Sequence, residues 1–230
     1  MTIFLLLACS SSEPVVADVA PQRVFATSEV ARWLGTRLGL EVTLVENPGP
    51  DEVLAMDGQV LLLNGGESWL AGVALDATVL ELSAGLELFE GTGDHDHGQG
   101  SHAHGIDPTW FGDPDLVRSR GAWLAAELDR DGAALDADLA AYSVRLKGAC
   151  GPLETQASHP FSYLARFCGW QGGDQPSRRV FEPGDPQLAQ PHEIEVVVLD
   201  PLEAPPGGAP YDYIAMGDTN VRALLGSGSD

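Results

Sequence analysis

Gln59-Val60-Leu61-Leu62-Leu63-Asn64-Gly65-Gly66 is the stretch that decides the fold class. Four consecutive apolar side chains leave no face for water, so the run predicts a strand buried on both sides, and Asn-Gly-Gly ends it in a loop. Upstream, Arg23 to Ala26 is a short extended run, and Thr27-Ser28-Glu29 offers N-cap chemistry. Val30, Trp33, Leu34 and Leu38 follow at helical spacing, and Gly39 closes that helix. Glu41 to Val45 alternates as a strand does, Asn47-Pro48-Gly49-Pro50 breaks the chain, and Ala77 to Leu82 reads as a further strand. Strands alternating with helices predict an α/β layer around a parallel sheet.

From Asp113 the pattern turns helical. Asp113 is the expected cap and Pro114 takes the first turn, with Leu116, Val117, Trp123, Leu124 and Leu128 on one face. A second helix places Leu135, Leu139, Tyr142 and Leu146 in one apolar stripe. After Gly148 strands and turns resume, with Glu193 to Leu199 the clearest strand and Tyr211 to Leu225 a final helix. The helical middle therefore divides two α/β halves.

Composition bounds the partners. Across 230 residues, 34 acids against 12 bases give a net charge of −22, which excludes nucleic acid as a partner because phosphate backbones are repelled. Lys147 is the lone lysine, so no polybasic patch exists for an anionic membrane surface. Hydrophobic content of 44% is a globular value, and three cysteines are too few for a disulfide scaffold.

Ile3-Phe4-Leu5-Leu6-Leu7-Ala8-Cys9, followed by three serines, resembles the lipobox of bacterial lipoproteins, in which the cysteine is acylated after cleavage. On that reading residues 1–9 are a signal segment and Cys9 is the lipidation site. Residues 10–22 are then a tether, and the protein sits periplasmic or at the cell surface, held to a bacterial membrane by lipid. No Lys or Arg precedes the apolar run, and the alternative is an ordinary N-terminal strand or helix. An oxidising compartment permits a disulfide between Cys150 and Cys168, and the sequence leaves their geometry open.

The strongest chemical signal is the segment 93–105, Gly-Asp-His-Asp-His-Gly-Gln-Gly-Ser-His-Ala-His-Gly. It carries His95, His97, His102 and His104, four of the six histidines. Neutral imidazole is the commonest protein metal ligand, and glycine lets several converge on one ion, zinc or nickel. The other reading is a solvated polar loop. His159, before Pro160 and an aromatic helical stripe, is expected at a strand end and a helix mouth, where open α/β sheets bind ligands. Taken alone, a histidine there is more often a satisfied structural residue. Asp200 ends the apolar run Val196 to Leu199 and is either a cap for the next turn or a ligand. His192 reads as a surface residue.

Taken together, these segments resemble the zinc/manganese solute-binding proteins of bacterial ABC importers. Asn64-Gly65-Gly66-Glu67-Ser68-Trp69-Leu70 is similar to the family's NGxGLExWL, and Asp107-Pro108-Thr109-Trp110-Phe111-Gly112-Asp113-Pro114, after a His-rich segment, to its DPHxWLDP. His159-Pro160-Phe161-Ser162-Tyr163-Leu164-Ala165-Arg166 resembles HPAFGYFAR, and Val198-Leu199-Asp200-Pro201-Leu202 resembles xLDPLG. The resemblance implies two α/β lobes, each a mostly parallel sheet flanked by helices, joined by a long bridging helix. The expected division is an N-terminal lobe over 23–130, a bridging helix over 131–147 and a C-terminal lobe over 148–230.

It also implies a metal in the cleft, zinc in preference to Mn2+, and a monomer that hands the ion to a membrane permease. Carried over position by position, His159 matches a ligand histidine and Asp200 the ligand carboxylate. Thr109 stands where another histidine is expected, and the family's first histidine has no counterpart, the chain here running Pro48-Gly49-Pro50-Asp51-Glu52. Two protein ligands do not make a tight zinc site. His102 or His104 replacing the absent imidazoles, with Asp51 or Glu52 adding an oxygen, restores one. The alternative is a degenerate surface lipoprotein that buffers metal through the loop or contacts a partner without transport. Ser158, His159 and Asp200 have the residue types of a hydrolase triad, but no G-x-S-x-G elbow or H-E-x-x-H helix accompanies them, so the expectation is that the chain is not an enzyme.

Overall fold

The computed structural model describes residues 23–65, 67–70, 72–89, 107–205 and 209–226. Its first sheet is built from β1 (Val24–Ala26), β2 (Val42–Leu44), β3 (Val60–Leu63) and β4 (Thr78–Glu81), with α1 (Glu29–Arg37) and α2 (Pro50–Ala55) between them. Two helices follow, α3 (Pro114–Glu127) and α4 (Ala133–Ala149). They lead into β5 (Thr155–Ala157), α5 (Ser162–Cys168), β6 (Arg178–Phe181), β7 (Glu195–Val198) and α6 (Tyr213–Gly226). The strands pair in the orders β2-β1-β3-β4 and β5-β6-β7, and every pairing is parallel. Both sheets therefore end their strands at one edge each, and loops with polar side chains gather there.

All four residues of β3 are buried, as a strand covered on both faces requires. Leu62 faces the main core, and Leu61 and Leu63 join Phe25, Val45 and Met56 in a second cluster on the opposite face. Ser28 caps α1 by accepting the Ala31 N–H at 3.2 Å, and Gly39 (φ +78°) turns the chain out of that helix. Asp113 caps α3 through the N–H groups of Asp115 and Leu116, with Pro114 in the first turn.

α4 is the central helix of the helical layer. Leu135, Leu139, Tyr142 and Leu146 are all buried, and the helix packs against α3 on one side and α6 on the other. It begins two residues later than the pattern suggested, because Asp131 accepts the Ala133 N–H at 2.9 Å from outside the helix. At its far end it runs past Gly148 and stops where Gly151 takes φ +71°. Gly217 permits the α4–α6 approach, since a Cβ there would fall 2.2 Å from the Tyr142 hydroxyl. Arg118–Asp136, Arg145–Asp218 and Arg37–Asp138 pairs fasten α4 to α3, α6 and α1, although half-exposed pairs of this kind add little each. A single buried cluster runs from Val24 and Leu62 in the first sheet to Val180 and Val197 in the second.

The turn leaving β3 is held by one carboxylate. Glu67 Oε1 accepts from the Thr27 hydroxyl at 2.5 Å and the Asn64 N–H at 2.7 Å, and Oε2 accepts from the Gly65 N–H at 3.0 Å. Gly65 sits at φ +119°, with a would-be Cβ 2.0 Å from Ser83 Oγ, so this turn admits no side chain. Charge-assisted bonds to buried N–H groups are the stronger kind, and Glu67→Ala is expected to cost about 2 kcal/mol in urea unfolding. A loss within experimental scatter of zero contradicts that role.

Cys150 at the end of α4 and Cys168 at the end of α5 form a disulfide across 18 residues of sequence, both buried. Closing a loop of this length stabilises the fold by about 3 kcal/mol through the unfolded chain. Unfolding in reductant, or of the Cys150→Ser/Cys168→Ser pair, should fall by that amount. Equal midpoints with and without reductant contradict it.

Candidate functional site

In the order β2-β1-β3-β4 the chain reverses its direction of growth between β1 and β3, and parallel sheets bind ligands at the carboxyl ends of strands at such a point. Thr27 leaves β1 and Asn64 leaves β3 side by side there, with the Asn64 N–H donating to Thr27 Oγ1 at 3.0 Å. Between these ends and the loop after β7 lies a cleft of about 190 Å3. Glu29, Glu46, Thr109 and Glu203 line it together with Thr27 and Asn64.

The segment 107–113 crosses the cleft wall. Trp110 is fully buried and donates from Nε1 to the Asn64 carbonyl at 3.2 Å, while Asn64 Nδ2 donates to the Pro108 carbonyl at 3.1 Å. Thr109, at the position where the resemblance led one to expect a histidine, is buried and turns its hydroxyl onto Asp107 Oδ1 at 2.7 Å. Burial raises the Asp113 carboxyl above the usual range, against the opposing pull of the Asp115 and Leu116 N–H groups and of Arg166, 3.4 Å away.

His159 opens a 3-10 turn, His159–Phe161, between β5 and α5, which is the strand end and helix mouth that its sequence context predicted. Its imidazole lies outside the described atoms. Asp200 follows β7 and lines a small gap of about 10 Å3 together with Pro160 and Phe161, so the two segments meet. Asp200 Oδ1 accepts the Leu202 N–H at 2.7 Å, the turn-capping role. Its main chain is clamped by Asn220, which accepts the Asp200 N–H and donates to its carbonyl, each at 2.8 Å. Ser158 Oγ, next to His159, is buried with no hydrogen-bond partner among the described residues. His192 is remote from this edge, set against Phe181 with Nε2 3.0 Å from the Gln187 carbonyl.

His95, His97, His102, His104 and Cys9 lie outside the described residues. The nearest described residues on either side of that segment are Phe89 and Asp107. The Phe89 N–H donates to the Tyr163 hydroxyl at 2.7 Å, the Asp107 N–H donates to the Phe89 carbonyl at 3.0 Å, and the Tyr163 hydroxyl approaches the Asp107 carbonyl at 3.4 Å. Burial pushes the Tyr163 phenol up, so it stays protonated. Arg166 stacks on Phe89 and Tyr163 at 5.0 and 4.9 Å and donates to the Glu87 carbonyl. Phe89 and Asp107 are thus pinned to α5, whose first turn adjoins His159. Among the described residues no three His, Cys, Asp or Glu side chains converge to hold a metal ion. Nor is any described helix long and apolar enough to cross a membrane.

The residues that sequence reasoning passed over are Thr27, Glu46, Asn64 and Glu203. The parallel-sheet pattern and the Asn-Gly-Gly break located the β3 edge, but only the strand order puts β1 beside it.

No protein-family profile matches the chain, and no curated protein matches it. Solved structures do. YcdH, a metal-dependent lipoprotein from Bacillus subtilis, is similar with a TM-score of 0.66 at 16% identity, over 90% of this chain and 98% of that one. A Zn(II)-bound mutant of AdcAII from Streptococcus pneumoniae gives 0.65 at 14% identity, over 88% of this chain and 98% of that one. The SBP FpvC from Pseudomonas aeruginosa, in complex with Mn2+, gives 0.64 at 16% identity, over 90% and 98%. At such identities the likeness is one of fold, and the chain shares that fold over nearly the whole length of each of these proteins.

Proposed function

We propose that this chain is an extracytoplasmic solute-binding protein that captures a divalent metal, zinc in preference to manganese, and passes it to an ABC importer permease. In this reading the two sheets are two lobes, α4 is the bridge between them, and the protein is a monomer that carries no catalytic activity. Residues 1–9 are a signal segment, Cys9 carries the lipid, and residues 10–22 are the tether.

The observation that carries the reading is the anchoring of Phe89 and Asp107, on either side of the His-rich segment, on Tyr163, beside the turn that His159 opens. His104 and His102 stand three and five residues before Asp107. At about 3.5 Å per extended residue they can reach roughly 10 and 17 Å from it. A reach of that order from an anchor on Tyr163, four residues after His159, supports a site of His159, Asp200, His104 and His102. His95 and His97 are left as an accessory collector. Imidazole donors suit zinc, and an acidic surface of net charge −22 raises the local cation concentration.

The test is calorimetric zinc titration of the full chain carrying Cys9→Ser, beside variants His159→Ala and a Gly/Ser replacement of residues 94–104. One tight site is expected, weakened at least about 100-fold by His159→Ala and comparably by the loop replacement, since even an outer-shell loss costs 10–100-fold. Zinc affinity that is indifferent to His159→Ala overturns the site. Weak binding of several ions that follows the loop alone gives instead a metal-buffering surface lipoprotein.

A further inference from the structure

We propose that the Cys150–Cys168 disulfide is a redox gate on metal capture: the chain holds its ion tightly only once these two thiols have been oxidised. The inference rests on the metal reading and adds a control to it.

The crosslink closes the stretch of chain that carries a candidate ligand. Between the two cysteines, 18 residues apart, lie β5, the His159–Phe161 turn and α5. The secondary structure inside this stretch is short. β5 is three residues at the edge of its sheet, and only Thr155 of it is buried. α5 has seven residues, well short of the roughly 12–15 at which a helix holds without tertiary support. The stretch is therefore placed by the buried side chains of Phe161, Tyr163 and Leu164 and by the junction where its two ends meet.

That junction is built around the sulfurs. Cys150 ends α4 and Cys168 ends α5, and each precedes a glycine in the left-handed region, Gly151 at φ +71° and Gly169 at φ +74°. The chain turns away directly after each cysteine, so the disulfide is the covalent tie between the two helix ends. Hydrogen bonds align the same ends. Trp170 Nε1 donates to the Cys150 carbonyl at 2.8 Å, the Gln171 N–H to the Leu153 carbonyl at 2.7 Å, and Lys147 Nζ to the Phe167 carbonyl. Each such bond contributes modestly, and covalent closure of the stretch outweighs any one of them. The hold extends past α5, because the Tyr163 hydroxyl accepts the Phe89 N–H and Arg166 donates to the Glu87 carbonyl.

Oxidation moves two electrons and two protons from the thiols to a disulfide oxidant. The Sγ–Sγ bond forms here as the oxidant's S–S bond breaks, and the oxidant leaves as two thiols. Both cysteines are buried in the folded chain, which places this step during folding and shields the bond afterwards. With the thiols free, the His159 turn is correctly placed for only part of the time, and the apparent affinity falls by that fraction. Thiols persist in a reducing compartment and pair in an oxidising one, so a chain still in the first does not compete for the metal there.

The test is calorimetric zinc titration, in about 1 M sucrose to keep every form folded, of the full chain carrying Cys9→Ser. Three forms are compared: oxidised, reduced with dithiothreitol that is then removed anaerobically, and Cys150→Ser/Cys168→Ser. The oxidised form is expected to bind one zinc, and the doubly substituted form to bind it at least about tenfold more weakly. The reduced form should match the doubly substituted one and regain full affinity with oxidised glutathione, which leaves the doubly substituted form unchanged. Leu38→Ala, a core truncation at the end of α1 with a comparable loss of stability, is the control and should keep the oxidised affinity. A His159-dependent site of equal affinity in all three forms overturns the gate and leaves the metal reading intact. An equal loss in Leu38→Ala reduces the effect to general stability and overturns it too, as does tighter binding by the reduced form, which makes the thiols ligands. Zinc binding by the oxidised chain that ignores His159→Ala removes the metal reading and the gate with it.

Discussion

Tyr213 is the joint on which the rest of the molecule depends. Its ring lies fully buried between Trp33 of α1 and Tyr142 of α4, at centroid distances of 5.4 and 5.7 Å, and its hydroxyl donates to the Phe111 carbonyl at 2.7 Å. One side chain of the last helix thereby fixes the first helix, the central helix and the segment that crosses the cleft wall. Burial holds the phenol protonated and well above its usual range, so the donor is permanent. Were it lost, the Phe111 carbonyl would be left unpaired at a cost of about 1–3 kcal/mol.

This joint explains why two small sheets behave as one packed body. Neither three- nor four-residue strands bury much area alone, and one buried cluster takes in residues of both sheets together with α4 and α6. The polar edge follows from the same arrangement. Within each sheet the parallel strands send their carboxyl ends one way, and α4 is about 25 Å long by its 17 residues. Leu202 lines both the cleft beside Thr27 and Asn64 and the tight gap beside Asp200.

Much of this was legible in the sequence. The run Val60–Leu63 gave away a doubly buried strand, Asp113-Pro114 a helix start, and the Leu135–Tyr142–Leu146 stripe the central helix, because in each the local chemistry and the burial agree. Asp200 was readable as a turn cap from its place after an apolar strand. α2 was not foreseen, since it buries no residue and so writes no apolar period into the chain. β5 and β6 were equally silent, as their mixed Thr-Gln-Ala and Arg-Arg-Val-Phe gain their strand character from neighbours brought together by the fold. The Cys150–Cys168 bond, which the sequence permitted but could not place, depends on how the ends of α4 and α5 meet, and the pairing of Thr27 with Asn64 on β1 lying beside β3; no local pattern records either.

The central claim is that loop imidazoles complete a metal site at His159 and Asp200. Its most direct measurement is the zinc-edge X-ray absorption spectrum of the full chain loaded with one equivalent of zinc. The account predicts a first shell with two or more imidazoles and at least one carboxylate oxygen, losing an imidazole when His159 is changed to alanine. A shell of oxygen alone, or one identical in the wild type and in His159→Ala, contradicts it.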